Sequence, residues 1–167
     1  MTGQVAATIR PASEQDVPAI TAIYNHAIVH TTATFDIDEK SEAERLAWLQ
    51  ARDERYPVYV AEIDGQVVGW AALSRWSDRR AYDVSVEGGL YIHPDFQGRG
   101  LGRRLNAKIT QRARELGYRT LIARIAGGGD ASIHMCQTLG YEYIGRMREV
   151  GRKFGQYLDV HLYQLML

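Results

Sequence analysis

The sequence predicts an α/β (α+β) fold, a single domain over residues 1–167 built on a mixed, mostly antiparallel, twisted sheet of about seven strands with helices on both faces. Three observations predict it. Apolar periodicity switches between strand and helix in the order β-α-α-β-β-β-α-β-α-β-β. A glycine-rich turn stands between an apolar strand end and a helix, and that strand–helix–strand unit needs one parallel pairing made by a right-handed crossover. The remaining connections suit antiparallel neighbours. The length is that of one sizeable core, with no linker, repeat or low-complexity stretch to divide it.

Each element has a local signal. Thr8-Ile9-Arg10 reads as a short first strand. Ser13 with Asp16 marks a helix start, and Ile20, Ile23, Tyr24, Ala27 and Ile28 follow helical spacing. Ser41 with Glu44 marks a second helix, carried by Leu46 and Leu49 and ending near Arg55. Val58 to Ile63 is a strand, Asp64-Gly65 a hairpin turn, and Gln66 to Leu73 the return strand. A polar loop runs from Arg75 to Asp83. Val84 to Ile92 is the next strand. Leu101, Leu105, Ile109, Ala113 and Leu116 give one apolar helix face. Leu121 to Ile125 is an apolar strand and Ala131 to Leu139 a short helix. Tyr141 to Val150 and Tyr157 to Leu167 are two last strands, joined by Gly151 to Gln156.

Composition excludes several classes. With 46% apolar and 24% charged residues the chain buries a core, and 20 basic residues balance 20 acidic ones, which disfavours a broad nucleic-acid surface. Cys136 is the sole cysteine, so neither an internal disulfide nor a cysteine-based metal cluster forms. His26 and His30 sit four apart on the first helix without an evident third ligand, and no metal is expected. Met1 to Thr8 is polar and lacks a signal-peptide core, and no run reaches the ~18 apolar residues of a membrane span. A cytoplasmic protein without nucleic-acid or membrane partners is the expectation.

Gly88 to Gly102 carries the most chemistry. Leu90-Tyr91-Ile92 runs into a turn at His93-Pro94-Asp95, then Gln97-Gly98-Arg99-Gly100-Leu101-Gly102, then helix. Such a turn bares backbone N–H groups at the positive end of a helix dipole, an anion site suited to pyrophosphate. Glycines permit close approach and positive φ. A helix-leading turn with incidental glycines is the bland alternative. A dinucleotide fingerprint fits less well: the spacing is G-x-G-x-G rather than G-x-G-x-x-G, and no acidic residue ends a strand ~20 residues on. Gln97, Gly100 and Gly102 match every fixed position of the Q/R-x-x-G-x-G/A loop of the GCN5-related N-acetyltransferases (GNATs), which bind acetyl-coenzyme A.

A narrower resemblance spans nearly the whole chain. Tyr24-Asn25-His26, Thr31 to Asp36, Arg80 to Asp83, Val86-Glu87 and Val150 to Gly155 occur together in the phosphinothricin (methionine sulfoximine) N-acetyltransferases, which the sequence resembles. The resemblance implies acetyl transfer from acetyl-CoA to the α-amine of a small amino acid or analogue, in a ternary complex. It implies cofactor contacts from Leu90, Tyr91, Ile92, Gln97, Gly98, Arg99, Gly100, Leu101, Gly102 and Ser132, and a homodimer. Transfer to another amine, such as a polyamine or a protein N-terminus, and a catalytically weak acyl-CoA-binding module are the alternatives.

The reaction needs a base, because an ammonium ion has no lone pair. Glu87 lies on the strand leading to the cofactor loop, and Gly88-Gly89 after it signal a bulge or a close backbone approach. Period-2 geometry alone allows a solvent-facing glutamate there; the resemblance places a catalytic glutamate at this position. Arg75 and Lys153 are candidates to hold a substrate carboxylate, with arginine offering bidentate geometry. Thr34, Phe35, Trp76, Tyr82 and Phe154 are candidate pocket walls. The sequence departs from the family twice. Gly129 stands where the family carries an asparagine that touches the pantetheine arm. Cys136 stands where the family has histidine, and the superfamily often tyrosine, as proton donor to the thiolate. At Cys136 a packing role is favoured, the acid role passing to Tyr141, Tyr143 or water.

Overall fold

Pairing begins with the two hairpins that the turn residues dictate. The computed structural model describes residues 6–167; of the polar segment Met1 to Thr8, Met1 to Val5 lie outside the described residues. β2 (Val58–Ile63) and β3 (Gln66–Arg75) close through Asp64 and Gly65, both at positive φ (48° and 79°), as a type I′ turn requires. β6 (Glu142–Lys153) and β7 (Gln156–Met166) close the same way through Phe154 and Gly155, at φ 52° and 73°. This hairpin is tighter than the Gly151 to Gln156 connection expected from sequence. Phe154 tolerates the left-handed region because the turn geometry over-determines it, and β6 therefore runs on to Lys153.

With β1 (Thr8–Pro11), β4 (Ser85–Ile92) and β5 (Thr120–Ala126), the strands form one seven-stranded sheet in the order β1-β2-β3-β4-β5-β7-β6. Every pairing is antiparallel except β4 with β5. α1 (Val17–His30) and α2 (Glu42–Gln50) cover one face; α3 (Leu101–Glu115) and α4 (Asp130–Thr138) cover the other. α2 opens with the reciprocal box read from Ser41 and Glu44: Ser41 Oγ accepts from the Glu44 N–H at 3.1 Å and Glu44 Oε2 accepts from the Ser41 N–H at 2.7 Å. It ends at Gln50, a turn earlier than expected. Arg52 there folds back to donate to the carbonyls of Tyr56 and Leu73, which takes the chain out of helix.

The larger core lies between the sheet and α3, where Leu101, Leu105, Ile109 and Ala113 meet Val86, Leu121 and Ile125. Each fully buried Leu or Ile there contributes about 1.5–3 kcal/mol. Of the bulge and the close approach read at Gly88-Gly89, the bulge is absent: β3 and β4 keep one register from Gly69↔Ile92 to Arg75↔Val86. Close approach accounts for the first glycine instead. A Cβ on Gly88 would stand 3.1 Å from Ile109 Cδ1 and 3.2 Å from Leu121 Cδ1. A Cβ on Gly89 would meet nothing within 4 Å, because that position opens into a cleft.

Candidate active site

The cleft exists because two parallel strands part company. β4 and β5 pair only over Ser85↔Thr120, Val86↔Leu121 and Glu87↔Ile122. Beyond that point β4 stays with β3 and β5 stays with β7. A gap of about 600 Å³ opens between them, lined by Glu87 to Tyr91 on one arm and Ala123 to Ala126 on the other. The His93 N–H donates to Val68 O on the β3 side, so period-2 alternation turns the amide groups of Leu90 and Ile92 toward the gap. An extended ligand laid there finds unpaired strand backbone on β4.

At the far end of β4 the glycine loop begins. Gln97 donates its side-chain amide to Ile92 O at 3.3 Å, closing the turn. Gly98 and Gly100 sit at φ 73° and 77°, so backbone conformation is what demands glycine at both. Gly100 is the N-cap of α3 and brings no side-chain cap, in contrast to Ser41 on α2. The first N–H groups of α3 are thus free for an external acceptor. The Arg99 guanidinium is held over Phe96, 4.9 Å from the ring centre, and donates to Asp95 O. Leu101 is buried under the loop and anchors it.

Glu87 sits at the crotch of the fork. Its register partner on β5 is Ile122, so Arg124, two residues on, shares its face. Arg124 Nε donates to Glu87 Oε1 at 2.7 Å and Arg124 Nη2 to Oε2 at 2.6 Å, a bidentate pair across the gap. The Glu87 carboxylate raises the Arg124 pKa further above its ordinary value. The guanidinium also lies 5.6 Å from the Trp76 ring centre. Sequence reasoning missed Arg124; its only trace there is a charged residue inside an apolar strand.

The other end of the cleft is walled by the segment after α1. Thr31 to Phe35 line it with Met147, Val150 and Val160. Blocks distant in sequence converge to shape this wall. Tyr24 donates its hydroxyl to Asp36 at 2.6 Å and lies 3.0 Å from Thr34 Oγ1. Lys153, only 5% exposed, donates from Nζ to Thr34 O at 2.8 Å. Phe35 packs so closely over Gly151 that a Cβ there would overlap its ring. Thr32 Oγ1 donates to Gly127 O at 3.0 Å.

The structure therefore gathers Glu87, Leu90, Tyr91, Ser132, Thr34 and Phe35 around one cleft, with Ile92 to Gly102 at its end. Other expected residues stand apart. Lys153 faces inward and fixes the Thr34 loop. Phe154 is exposed at the β6–β7 turn. Arg75 pairs with Val86 across the strands and so projects from the opposite face to Glu87; its guanidinium lies 5.7 Å from the Tyr56 ring centre and 4.0 Å from Asp78. Tyr82 is exposed in a short 3₁₀ turn, Arg80–Tyr82. Trp76 reaches the cleft only through Arg124.

Comparison with known proteins gives the family. The family model described as the acetyltransferase (GNAT) family matches residues 20–141, from α1 through the glycine loop to the end of α4. The chain belongs to that family. It is 40% identical to the L-methionine sulfoximine/L-methionine sulfone acetyltransferase of Salmonella typhimurium, over 96% of this chain and 94% of that protein. It is 33% identical to a phosphinothricin N-acetyltransferase of Streptomyces coelicolor, over 98% of each. The structure of yncA from Salmonella typhimurium with its cofactor acetyl-CoA superposes with a TM-score of 0.94 at 40% identity, over 97% of this chain and 94% of that one.

The two departures from the family have physical consequences. Gly129 is the N-cap of α4, and a Cβ there would stand 2.6 Å from Ile125 Cγ2 and 3.0 Å from Ala126 O. The backbone has closed in around glycine, so an asparagine does not fit without moving β5. Cys136 lines the cleft but is 2% exposed and belongs to the core under α4. Burial pushes its thiol up to about 11, so it is protonated at neutral pH and is no nucleophile. Tyr141 is buried, with its hydroxyl 3.2 Å from Asn106 Nδ2, and burial pushes it up to about 12. Tyr143 is exposed and turned to His161. Cys136→Ala is expected to keep at least a tenth of kcat, with no acetylated enzyme accumulating without amine. A thousandfold fall, or a stable acetyl adduct on Cys136 by mass spectrometry, contradicts the packing role.

Proposed function

We propose that this chain transfers the acetyl group of acetyl-CoA to the α-amine of a small amino acid or analogue of the phosphinothricin, methionine sulfoximine or methionine sulfone type, by direct attack in a ternary complex. One observation carries the reading. A carboxylate, Glu87, stands where β4 and β5 part, between the uncapped glycine loop and the Thr34–Phe35 wall. A base is thus set where a ligand laid along β4 would end and an amine approaching past Thr34 would arrive. The substrates named for the 40% and 33% identical relatives support the amine class.

The glycine loop fits a pyrophosphate: its φ values admit only glycine readily, its N–H groups are uncapped, and space is open around Gly98 and Gly100. The amide edges of Leu90 and Ile92 suit the pantetheine arm. The thioester supplies an activated carbonyl and a good leaving group. Glu87 takes a proton from the bound ammonium, directly or through a water, and frees the nitrogen lone pair. Across the whole reaction the nitrogen gains the acetyl group, the C–S bond breaks, coenzyme A leaves as the thiol and one proton passes to solvent. β6 is an edge strand and exposes Tyr143, Ile144, Met147 and Val150, a surface proposed to be covered by a second copy in a homodimer.

A thiol-release assay tests the reading across the free amino acids, phosphinothricin, methionine sulfoximine and methionine sulfone. Turnover strongest on the last three is expected. Acetyl-CoA binding with no thiol released on any amine means a binding module instead, and turnover confined to polyamines or peptide N-termini moves the substrate class.

A further inference from the structure

Resting on that reading of the site, we propose that Arg124 is the carboxylate clamp of the acceptor pocket. The Glu87–Arg124 pair is a stand-in for a zwitterion, exchanged partner for partner when an α-amino acid binds. The base is not free in the structure. Both its oxygens are taken by Nε and Nη2 of Arg124, at 2.7 and 2.6 Å. Arg124 already holds one lone pair on each oxygen, so an amine at Glu87 competes with those donors, and a ligand that also satisfies Arg124 avoids that competition.

An α-amino acid does this with one molecule. Its ammonium and carboxylate are attached to the same carbon. Set into the pair, it offers the ammonium to Glu87 and the carboxylate to Arg124. Two charge-assisted pairs replace one, and no charge stands alone at any stage, so the penalty of an unpaired, partly desolvated ion is avoided. A simple amine takes Glu87 and leaves Arg124 without an anion.

The geometry supports exchange over a permanent brace. The Arg124 side chain is 52% exposed and that of Glu87 18%, so the pair opens onto the cleft from its Arg124 side. Packing against Trp76 keeps the guanidinium plane in place once Glu87 lets go. Among the described residues Arg124 is the one lysine or arginine that lines the cleft. Lys153 spends its ammonium on Thr34 O, and Arg75 lies on the other face over Tyr56. A bidentate guanidinium suits a carboxylate, and equally the planar or tetrahedral oxyanions of its analogues.

The test compares two acceptors that differ only in the carboxylate: L-methionine sulfone and 3-(methylsulfonyl)propylamine. Arg124→Ala is expected to raise KM for the amino acid roughly 10- to 100-fold, the range for charge-assisted hydrogen bonds. With the simple amine the loss should be at least about 10-fold smaller, since that acceptor has no carboxylate to meet Arg124. Added guanidinium chloride should restore part of the loss on the amino acid, and Arg124→Lys should fall between. Acetyl-CoA affinity by calorimetry reports folding; if the alanine variant fails there, Arg124→Lys and Arg124→Gln carry the same comparison. Equal losses on both acceptors, or a carboxylate-specific loss in Arg75→Ala but not in Arg124→Ala, overturn the exchange while leaving acetyl transfer standing. A parent protein inactive on every amine removes the acetyl-transfer reading and this one with it.

Discussion

Glu87→Gln is expected to lower kcat about 10²–10⁴-fold while acetyl-CoA affinity stays near that of the parent, the span usual for loss of a general base. The amide keeps the size and removes the basicity, so the bound ammonium has nothing at hand to take its proton. The acetyl-CoA half of the site should not notice. The glycine loop and the Leu90 and Ile92 amides lie further along β4, and none of them bonds to Glu87. Folding should hold as well, because Arg124 is half exposed and water replaces a lost carboxylate there. Steady-state kinetics with calorimetry on the same variant separates the effects. Activity at neutral pH within a few-fold of the parent removes Glu87 from the role of base.

Gly100→Val is expected to raise KM for acetyl-CoA at least about 10-fold with the amine KM little changed, since each charge-assisted bond to a pyrophosphate oxygen contributes about 1.5–3 kcal/mol. Two positions act by different physics. At Gly100 a Cβ meets nothing within 4 Å, but φ is 77°, so a β-branched residue strains the N-cap or turns its N–H groups away. At Gly102 a Cβ would lie 3.6 Å from Leu90 Cδ1 and from Met135 Sδ, so Gly102→Val crowds the wall of the groove itself. The loop is exposed and α3 is held by Leu101, Leu105 and Ile109 below it, so neither change should unfold the domain. Parent-like acetyl-CoA binding in both variants would remove the loop from the cofactor site.

The parts legible in sequence were those written in local chemistry. A capping box at Ser41 and Glu44, an Asp64-Gly65 turn and the Gln97 to Gly102 loop each act within a few residues, and each formed as read. Glu87 was read as the candidate base from the family resemblance, on the strand that leads into that loop, and it lines the cleft. Where reading strayed, the cause was a partner outside the window. The α2 helix stopped early because Arg52 found carbonyls at Tyr56 and Leu73. Which of its two readings Gly88-Gly89 took, close approach over bulge, was decided by Ile109 and Leu121, from two other elements.

By itself, then, the sequence determined the order of elements, the seven-stranded mixed sheet and the glycine loop that leads into α3, along with family membership and the acetyl-transfer chemistry that follows. Only the tertiary structure decided where β4 and β5 part, that Lys153 faces inward, that Arg75 and Glu87 project from opposite faces, and that Arg124 closes on Glu87. The reason is register. A side chain's face follows from period-2 alternation along its own strand, but which strand lies beside it, and at which residue, depends on how α3 packs between them. Arg124 is 37 residues from Glu87 in the chain, and no short-range pattern records a contact made by parallel pairing.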